Sequence, residues 1–312
     1  MKNILSQIPT ESKIKKVVRK LIFGKKIFCP RCGSPQVKKS ENRYRCRLCR
    51  KPFSLTSHSW LKGMKITWQE FWLLLWCWTY EISINQARKT SGLSKPTVRE
   101  WYGRFRNHLP HDQINDVILS GIIEGDEAYR GGKKKGFSLI GFKEKKRPNR
   151  QSKMVIRVVN RPSVDRRQAL DVITHHIEAG SDLWTDGSAI YRGIGNWGPV
   201  NHSYERHNKF EFALTSEIEG LWGNLTWFIR RVYHHVTKDY IEPVVNEFVA
   251  RQTRKNWFEN PQSVLEVILP KLVRPLRPEW RGKYQQKISQ SKQSNYSISM
   301  PSTKLSTVPS CL

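Results

Sequence analysis

Apolar and polar positions change rhythm along the chain. Between residues 60 and 80, Trp68, Phe71, Trp72, Leu75 and Trp76 recur at helical spacing. That stripe predicts a helix whose apolar face forms the core of a small helical domain. Upstream, the basic lead-in over residues 1–26 contains SKIKKVVRKLIF, which predicts one helix. Residues 83–106 (SINQARKTSGLSKPTVREWYGRFR) read as helix, glycine turn, helix. Ser91-Gly92-Leu93 ends the first; Ser94 caps the second, with Pro96 in its first turn. Lys95, Thr97, Arg99, Arg104 and Arg106 surround Val98, Trp101 and Tyr102 on that second helix. The layout is that of a helix-turn-helix, whose second helix enters a major groove, although many helical pairs share such a turn.

From about residue 118 the pattern becomes short apolar runs: VILSGIIEGD, FSLIGF, KMVIRVV and DLWTDG. These predict strands, with VDRRQALDVITHHIEAG a helix between the last two. One long helical stretch is expected from about 216 to 255. Beyond about residue 275 the Ser/Gln/Lys-rich composition predicts a disordered tail.

Charge adds a partner. Lys and Arg number 55 against 26 Asp and Glu, a formal net charge of +29. The first 110 residues hold 24 of the basic residues and only 5 of the acidic ones. A basic front ahead of a more balanced back suggests a binding module followed by something else, with a polyanion as partner. A ribosomal or merely solubilising field is the bland alternative. The N-terminus is too polar for a signal peptide, and the apolar run from Phe71 to Trp78 is far shorter than a bilayer span. A soluble cytoplasmic protein with no membrane partner is expected.

Four of six cysteines form two close pairs, Cys29-x2-Cys32 and Cys46-x2-Cys49, separated by a short hairpin. Such pairs wrap one structural Zn²⁺ tetrahedrally, and thiolate fills every position, so that metal does no chemistry. Arginines alternate with these ligands, as on a basic knuckle. Cys77 and Cys311 read as a core thiol and a tail residue.

Candidate chemistry lies downstream. Asp126 and Asp186 follow apolar strand-like runs and precede glycines; Glu219 falls in a helical segment, SEIEGLWGNLTWFIRR. Three convergent carboxylates suit two divalent cations and phosphoryl transfer, although strand-end aspartates are also ordinary turn formers. Glu217 competes with Glu219, but two residues apart on a helix point about 200° apart, so only one can face the aspartates. Glu127 neighbours Asp126 on a strand, where adjacent side chains face opposite sides, and is expected to be a supporting or loop residue. Lys133, Lys134, Lys135, Arg230 and Arg231 would track phosphates beside a scissile bond, or simply be solvated. His234 and His235 lack partners at helical offset for a zinc site.

The segments EGDEAYRGGKKKG, WTDGSAIYRG, VNHS and EIEGLWGNL…RR, followed by NEFVAR, occur in the order found in DDE insertion-sequence transposases related to the Merlin elements. The chain resembles that group over roughly residues 27–260, including its zinc ribbon and helix-turn-helix. The resemblance implies a multidomain α/β architecture with a ribonuclease-H-like mixed sheet. It implies two Mg²⁺ or Mn²⁺ held by Asp126, Asp186 and Glu219, the last matching an E-x-x-W pattern. His202 matches a histidine near the site. Implied activities are recognition of terminal inverted repeats, cleavage at the transposon ends, and joining of the 3′-hydroxyl ends to target DNA. The implied assembly is a homodimer or higher on double-stranded DNA, associated with a bacterial nucleoid.

The chain departs from the group's pattern at Ser216 and Thr226, where Asn and Lys are usual, and in VARQTRKN. A catalytically decayed or regulatory DNA-binding protein is therefore the rival, with a nuclease lacking strand transfer as another. The expected segments are 1–26 (basic lead-in), 27–57 (zinc ribbon), 58–110 (helix-turn-helix), 117–273 (catalytic) and 274–312 (tail).

Overall fold

Apolar positions four residues apart in the lead-in fold as expected into helix α1 (Glu11–Phe23), which buries Ile14, Val18, Ile22 and Phe23 and leaves Lys13, Lys16 and Lys20 exposed. The computed structural model describes residues 8–41, 43–130, 136–148, 151–204, 215–269 and 271–275. The tail from residue 276 therefore lies outside the described residues, as do Lys133, Lys134 and Lys135. The chain divides into two compact units: residues 26–54 with those from 273 onward, and residues 1–25 with 55–272.

The smaller unit is an antiparallel three-stranded sheet, β1 (Val37–Ser40), β2 (Arg43–Cys46) and β3 (Pro52–Phe53). Its strands are short and mostly exposed, so little apolar area holds them. Arg274 Nε donates to Gly33 O at 2.6 Å within this unit.

The larger unit begins with helices. In α2 (Trp68–Thr79), Thr67 and Glu70 form a capping box. Trp68, Phe71, Trp72 and Leu75 of the stripe are buried, but so are Leu73, Leu74, Trp78 and Thr79, so the helix is enclosed nearly all round rather than along one face. Trp76 is only partly buried, and Cys77 is buried. Helix α3 (Ile84–Ser91) ends at Gly92, whose φ of 71° is the left-handed value that favours glycine. Ser94 caps α4 (Lys95–Asn107) by accepting from Thr97 N. Trp60, Phe71, Trp101 and Phe105 pack edge-on and tilted at centroid distances of 5.5–6.4 Å. A short helix, α5 (His111–Asn115), leads out.

Next comes a five-stranded mixed sheet. Its strands are β4 (Ile122–Arg130), β5 (Phe137–Glu144), β6 (Met154–Val159), β7 (Asp182–Thr185) and β8 (Asn201–Tyr204), in the order β6-β5-β4-β7-β8. Pairing is antiparallel from β6 to β4 and parallel from β4 to β8. Helix α6 (Arg166–His176), between β6 and β7, buries Ala169, Val172 and Ile173 in a core with Ile123, Ile140, Phe142 and Leu183. A four-residue helix, α7 (Ile194–Trp197), precedes β8. Helix α8 (Ser216–Phe228) lies against the sheet at Gly141, where an added Cβ would meet the Trp222 ring at 2.7 Å. Helices α9 (Lys238–Thr253) and α10 (Pro261–Ile268) complete the unit.

Three expectations change. The first strand starts at Ile122 rather than near Val117, because Gly121 turns there with φ of 82°. The long stretch from 216 to 255 is two helices. After α8 the backbone widens into a π-turn over Ile229–Tyr233, and His234 at φ of 68° stops it. Strand β8 runs through the polar sequence NHSY, which carries no strand signal.

A buried ionic network joins the helices to the sheet domain. Glu247 and Arg251, one turn apart on α9, pair at 2.9 Å. Arg251 also donates to the carbonyls of Trp78 and Thr79 at the end of α2. Arg106 of α4 approaches Glu247 at 3.6 Å, and Tyr233 donates to it.

Candidate active site at the open end of the sheet

Strand β4 outruns its parallel neighbour. Residues 122–125 pair with 182–185 of β7, and beyond Thr185 that neighbour turns away at Asp186. Asp126 and Glu127 therefore stand where β4 has no strand on the β7 side. One carboxylate oxygen from each of Asp126, Glu127 and Asp186 lies within 4.8 Å of the others. Side-chain alternation puts Glu127 on the opposite face from Asp126, but at an open edge its longer side chain curls round to the group. Strand alternation alone therefore does not show it beside Asp126.

Local bonds fix each acid. Ser188 N donates to Asp186 Oδ1 at 3.0 Å, a turn that aims the carboxylate back toward β4. Ser188 Oγ and Tyr129 OH both donate to Glu127 Oε1, at 2.9 and 3.2 Å. The indole N–H of Trp222 donates to Asp126 Oδ2 at 2.9 Å. Burial, reinforced by the neighbouring charges of Glu127 and Asp186, pushes the Asp126 carboxyl up to about 7. Burial likewise raises Glu127, with Asp186 adding repulsion. Three hard oxygen donors whose negative charges are mutually unfavourable fit a divalent cation such as Mg²⁺ or Mn²⁺.

Helix α8 is held over this group by an acid that the sequence reading passed over. Glu124, two residues before Asp126 on the same strand face, is fully buried, and its Oε2 accepts the N–H groups of Glu217 and Ile218 at 2.8 and 2.9 Å. It thus satisfies donors at the N-terminus of α8 from across the sheet. Its signal was an acid inside the apolar run IIEGD, where a charge is buried only if it has partners.

Glu219 is exposed on α8 and is not among the three acids whose oxygens converge. It lies three residues before Trp222, about 60° round the helix, on the flank that meets Asp126. Glu217 is committed elsewhere: its carboxylate pairs with Lys143 at 2.9 Å, and Lys143 and Lys146 hold it below the usual range despite partial burial. His202, on β8, lies 2.9 Å from the Thr185 hydroxyl, which itself donates to Asp186 O. With that hydrogen so placed, Nε2 of the ring is the donor. Burial lowers the His202 pKa, favouring the neutral ring.

Of the basic candidates, Lys95 and Arg99 are exposed on α4, whereas Thr97 is bonded to Ser94 and Arg104 pairs with Glu100 while lying over Trp101. Arg230 is exposed in the π-turn; Arg231 is tied to Glu81 and stacks over Trp227 at 4.1 Å.

In the smaller unit the four cysteine sulfurs converge within 4.8 Å. Cys29 and Cys49 sulfurs are 3.6 Å apart, as are those of Cys32 and Cys46. Tetrahedral Zn–S bonds of about 2.3 Å place sulfurs about 3.8 Å apart, so this donor set fits zinc. Among the described residues, these two groups are the sites where three or more metal-ligating side chains converge.

A family model falls on the same region. Residues 118–253 match the ISXO2-like transposase domain. That transposase match contains all three convergent acids together with Glu124, His202, Glu219 and Trp222. It supports a DDE transposase in general. No curated protein matches the chain. Among solved structures, the magnesium-bound catalytic core of HTLV-2 integrase (dimeric form) is similar at 11% identity and a TM-score of 0.29. It covers 44% of this chain and 88% of that one. A chain of the simian T-cell lymphotropic virus intasome in complex with a PP2A regulatory subunit is similar at 11% identity and a TM-score of 0.32. That alignment covers 67% of this chain and 78% of the other. No described helix is long and apolar enough to cross a membrane.

Proposed function

We propose that the chain is a DDE transposase that cleaves double-stranded DNA at transposon ends and joins the freed 3′-hydroxyls to target DNA. The observation that carries this reading is the convergence of Asp126, Glu127 and Asp186 at the open end of β4, inside the segment that matches a transposase domain. The zinc-ribbon cysteines and the α3–α4 pair would recognise the terminal inverted repeats. Lys95 and Arg99 would face the duplex, and Arg230 a phosphate beside the cut. A homodimer or larger assembly would bring two ends together. Membership of the Merlin-related group rests on the sequence motifs.

Asp126 and Asp186 would hold the catalytic cation or cations. Bound there, a divalent ion polarises a phosphoryl oxygen and acidifies a bound water. The protein's own contribution is positional. Trp222 reserves one Asp126 oxygen, Ser188 orients Asp186, and His202 steadies the Thr185–Asp186 turn. In cleavage, water oxygen attacks phosphorus and gives up a proton as the 3′ P–O bond breaks and the 3′-oxygen leaves as a hydroxyl. In joining, that 3′-hydroxyl oxygen attacks a target phosphorus and gives up its proton as the target's own 3′ P–O bond breaks and its 3′-oxygen leaves as a hydroxyl.

We take Glu219 as the third acid, because it sits beside Trp222 on the flank of α8 that meets Asp126. Glu127 is a second reading, favoured by its carboxylate being already within the cluster. The full chain, loaded with zinc and given Mg²⁺ and a supercoiled plasmid carrying the element's ends, should nick and join DNA. Asp126→Ala and Asp186→Ala should abolish both products. Loss in Glu219→Gln but not Glu127→Gln assigns the third acid to Glu219, and the reverse to Glu127. If Asp126→Ala matches the parent, the reading fails and a DNA-binding protein without catalysis remains. Cutting without joined products would favour a nuclease.

A further inference from the structure

The opposite flank of α8 carries a cavity that the proposed chemistry does not use. It measures about 570 Å³ and is lined by Lys143, Lys146, Arg147, Asn224 and Lys255, with Glu217 as its acid. A second cavity of about 350 Å³ shares Gln151, Ser152 and Met154 with the first, and adds Lys153, Arg254 and Asp116. The two adjoin at those shared residues and are treated together as one trough, whose lining holds six cations and two acids. Lys143 spends its charge on Glu217, while Lys153 and Arg254 donate to the carbonyls of Ile118 and Gln113. Lys146, Arg147 and Lys255 are exposed; Lys146 also bonds Glu217 through its backbone N–H and helps to lower that carboxyl, but among the described residues no carboxylate is in salt-bridge contact with any of the three side chains.

Position relative to the acids narrows the occupant. At about 100° per residue, Glu217, Leu221 and Asn224 fall on one side of α8, and Glu219 and Trp222 on the other. Lys143 stands opposite Glu124 in the β4–β5 ladder, two residues along the strand from Asp126. A ligand touching both the trough and the acidic cluster must straddle α8, about 10 Å across with its side chains. A mononucleotide is too short. A nucleic-acid strand advancing about 3.4 Å per nucleotide covers that width in about three nucleotides.

We infer that this trough holds the sugar–phosphate backbone of the DNA being cut, about three nucleotides from the scissile phosphate, through Lys146, Arg147 and Lys255. The inference rests on the proposed function, but its test reads binding without chemistry. Anisotropy titrations of an end-bearing duplex would compare the zinc-loaded full chain with Lys146→Ala/Arg147→Ala/Lys255→Ala, without Mg²⁺, from about 50 to 300 mM KCl. Each lost phosphate contact lowers the slope of log K against log salt by about 0.9, so the triple variant should lose about 2 to 3.

Ethylation interference should vanish about three nucleotides from the cut and persist elsewhere. Asp126→Ala, which tests the catalytic reading, should keep the parent slope. Lys146→Arg/Lys255→Arg should also keep it, which guards against a folding defect. An unchanged slope in the triple variant, or a reduced slope with interference intact at that position, would overturn the assignment. So would a larger loss for duplex RNA than for duplex DNA.

Discussion

Replacing Asp126 by Asn should stabilise the metal-free protein, and do so more strongly as pH rises. The Asp126 carboxyl is raised from an ordinary 3.8 to about 7, chiefly by burial. A carboxyl raised in the folded state favours folding below its unfolded pKa, and that contribution is lost as pH rises through the folded value. Taking those two values, ionising Asp126 in place costs about 2 kcal/mol by pH 5.5 and about 4 kcal/mol by pH 8.5, at 1.36 kcal/mol per unit. Asn carries no charge and keeps one oxygen, for either the Trp222 indole or the Glu127 N–H; the bond it loses is a pH-independent cost that leaves the slope with pH unchanged. The variant's advantage should therefore grow by about 2 kcal/mol between those two pH values. Urea unfolding followed by tryptophan fluorescence is a suitable assay, because 11 of the 12 tryptophans lie between residues 55 and 272. Mg²⁺ should then reverse the order, stabilising the parent through a site that the Asn variant has weakened. An advantage that is flat or shrinks with pH would refute the account of strain in the acidic group.

Three further outcomes are expected. Trp222→Phe keeps a ring against Gly141 but removes the donor to Asp126, and should cost about 2 kcal/mol in the same urea experiment. Glu247→Ala leaves Arg251 and Arg106 buried without their carboxylate; calorimetry should show a loss of about 3 to 5 kcal/mol, whereas Glu242→Ala, on a more exposed turn of α9, should lose little. Cys46→Ser, or treatment with a strong chelator, should release bound zinc, measured by atomic absorption, and open residues 27–54 to trypsin, while the tryptophan-reported transition of the larger unit stays in place.

Sequence legibility followed how local the controlling physics is. The α3–α4 turn was readable to the residue, because Gly92 and Ser94 act within one turn of chain. The four cysteines were readable because metal spacing is itself local. Asp126 and Asp186 could be singled out as acids after apolar runs; Asp186 does follow the end of β7, but β4 runs on through Asp126 to Arg130, and only the pairing of β4 with β7 shows the two acids meeting. Glu127 was expected as a supporting or loop residue, and strand alternation alone did not show that its carboxylate would stand with Asp126 and Asp186 where the β7 side of β4 is open. Glu124 showed only as an acid inside an apolar run; its partners, two amides of α8, lie more than ninety residues away and could not be read locally. The break at His234 was hidden because a non-glycine residue takes the positive φ, with apolar spacing continuing through Val232 and Tyr233.

The Arg251 contacts also set a timetable for synthesis. Its guanidinium completes the carbonyls of Trp78 and Thr79, which lie 173 and 172 residues earlier. The Trp60 indole waits still longer, for the carbonyl of Ile268, 208 residues on. At about 5 to 20 residues per second, a ribosome takes roughly 10 to 35 seconds to make 173 residues. Through that interval the nascent helices α2 to α4 expose an aromatic surface whose last polar partners do not yet exist. A polypeptide ending near residue 110 should therefore recruit chaperones and precipitate when overexpressed, even though every helix signal it needs is present.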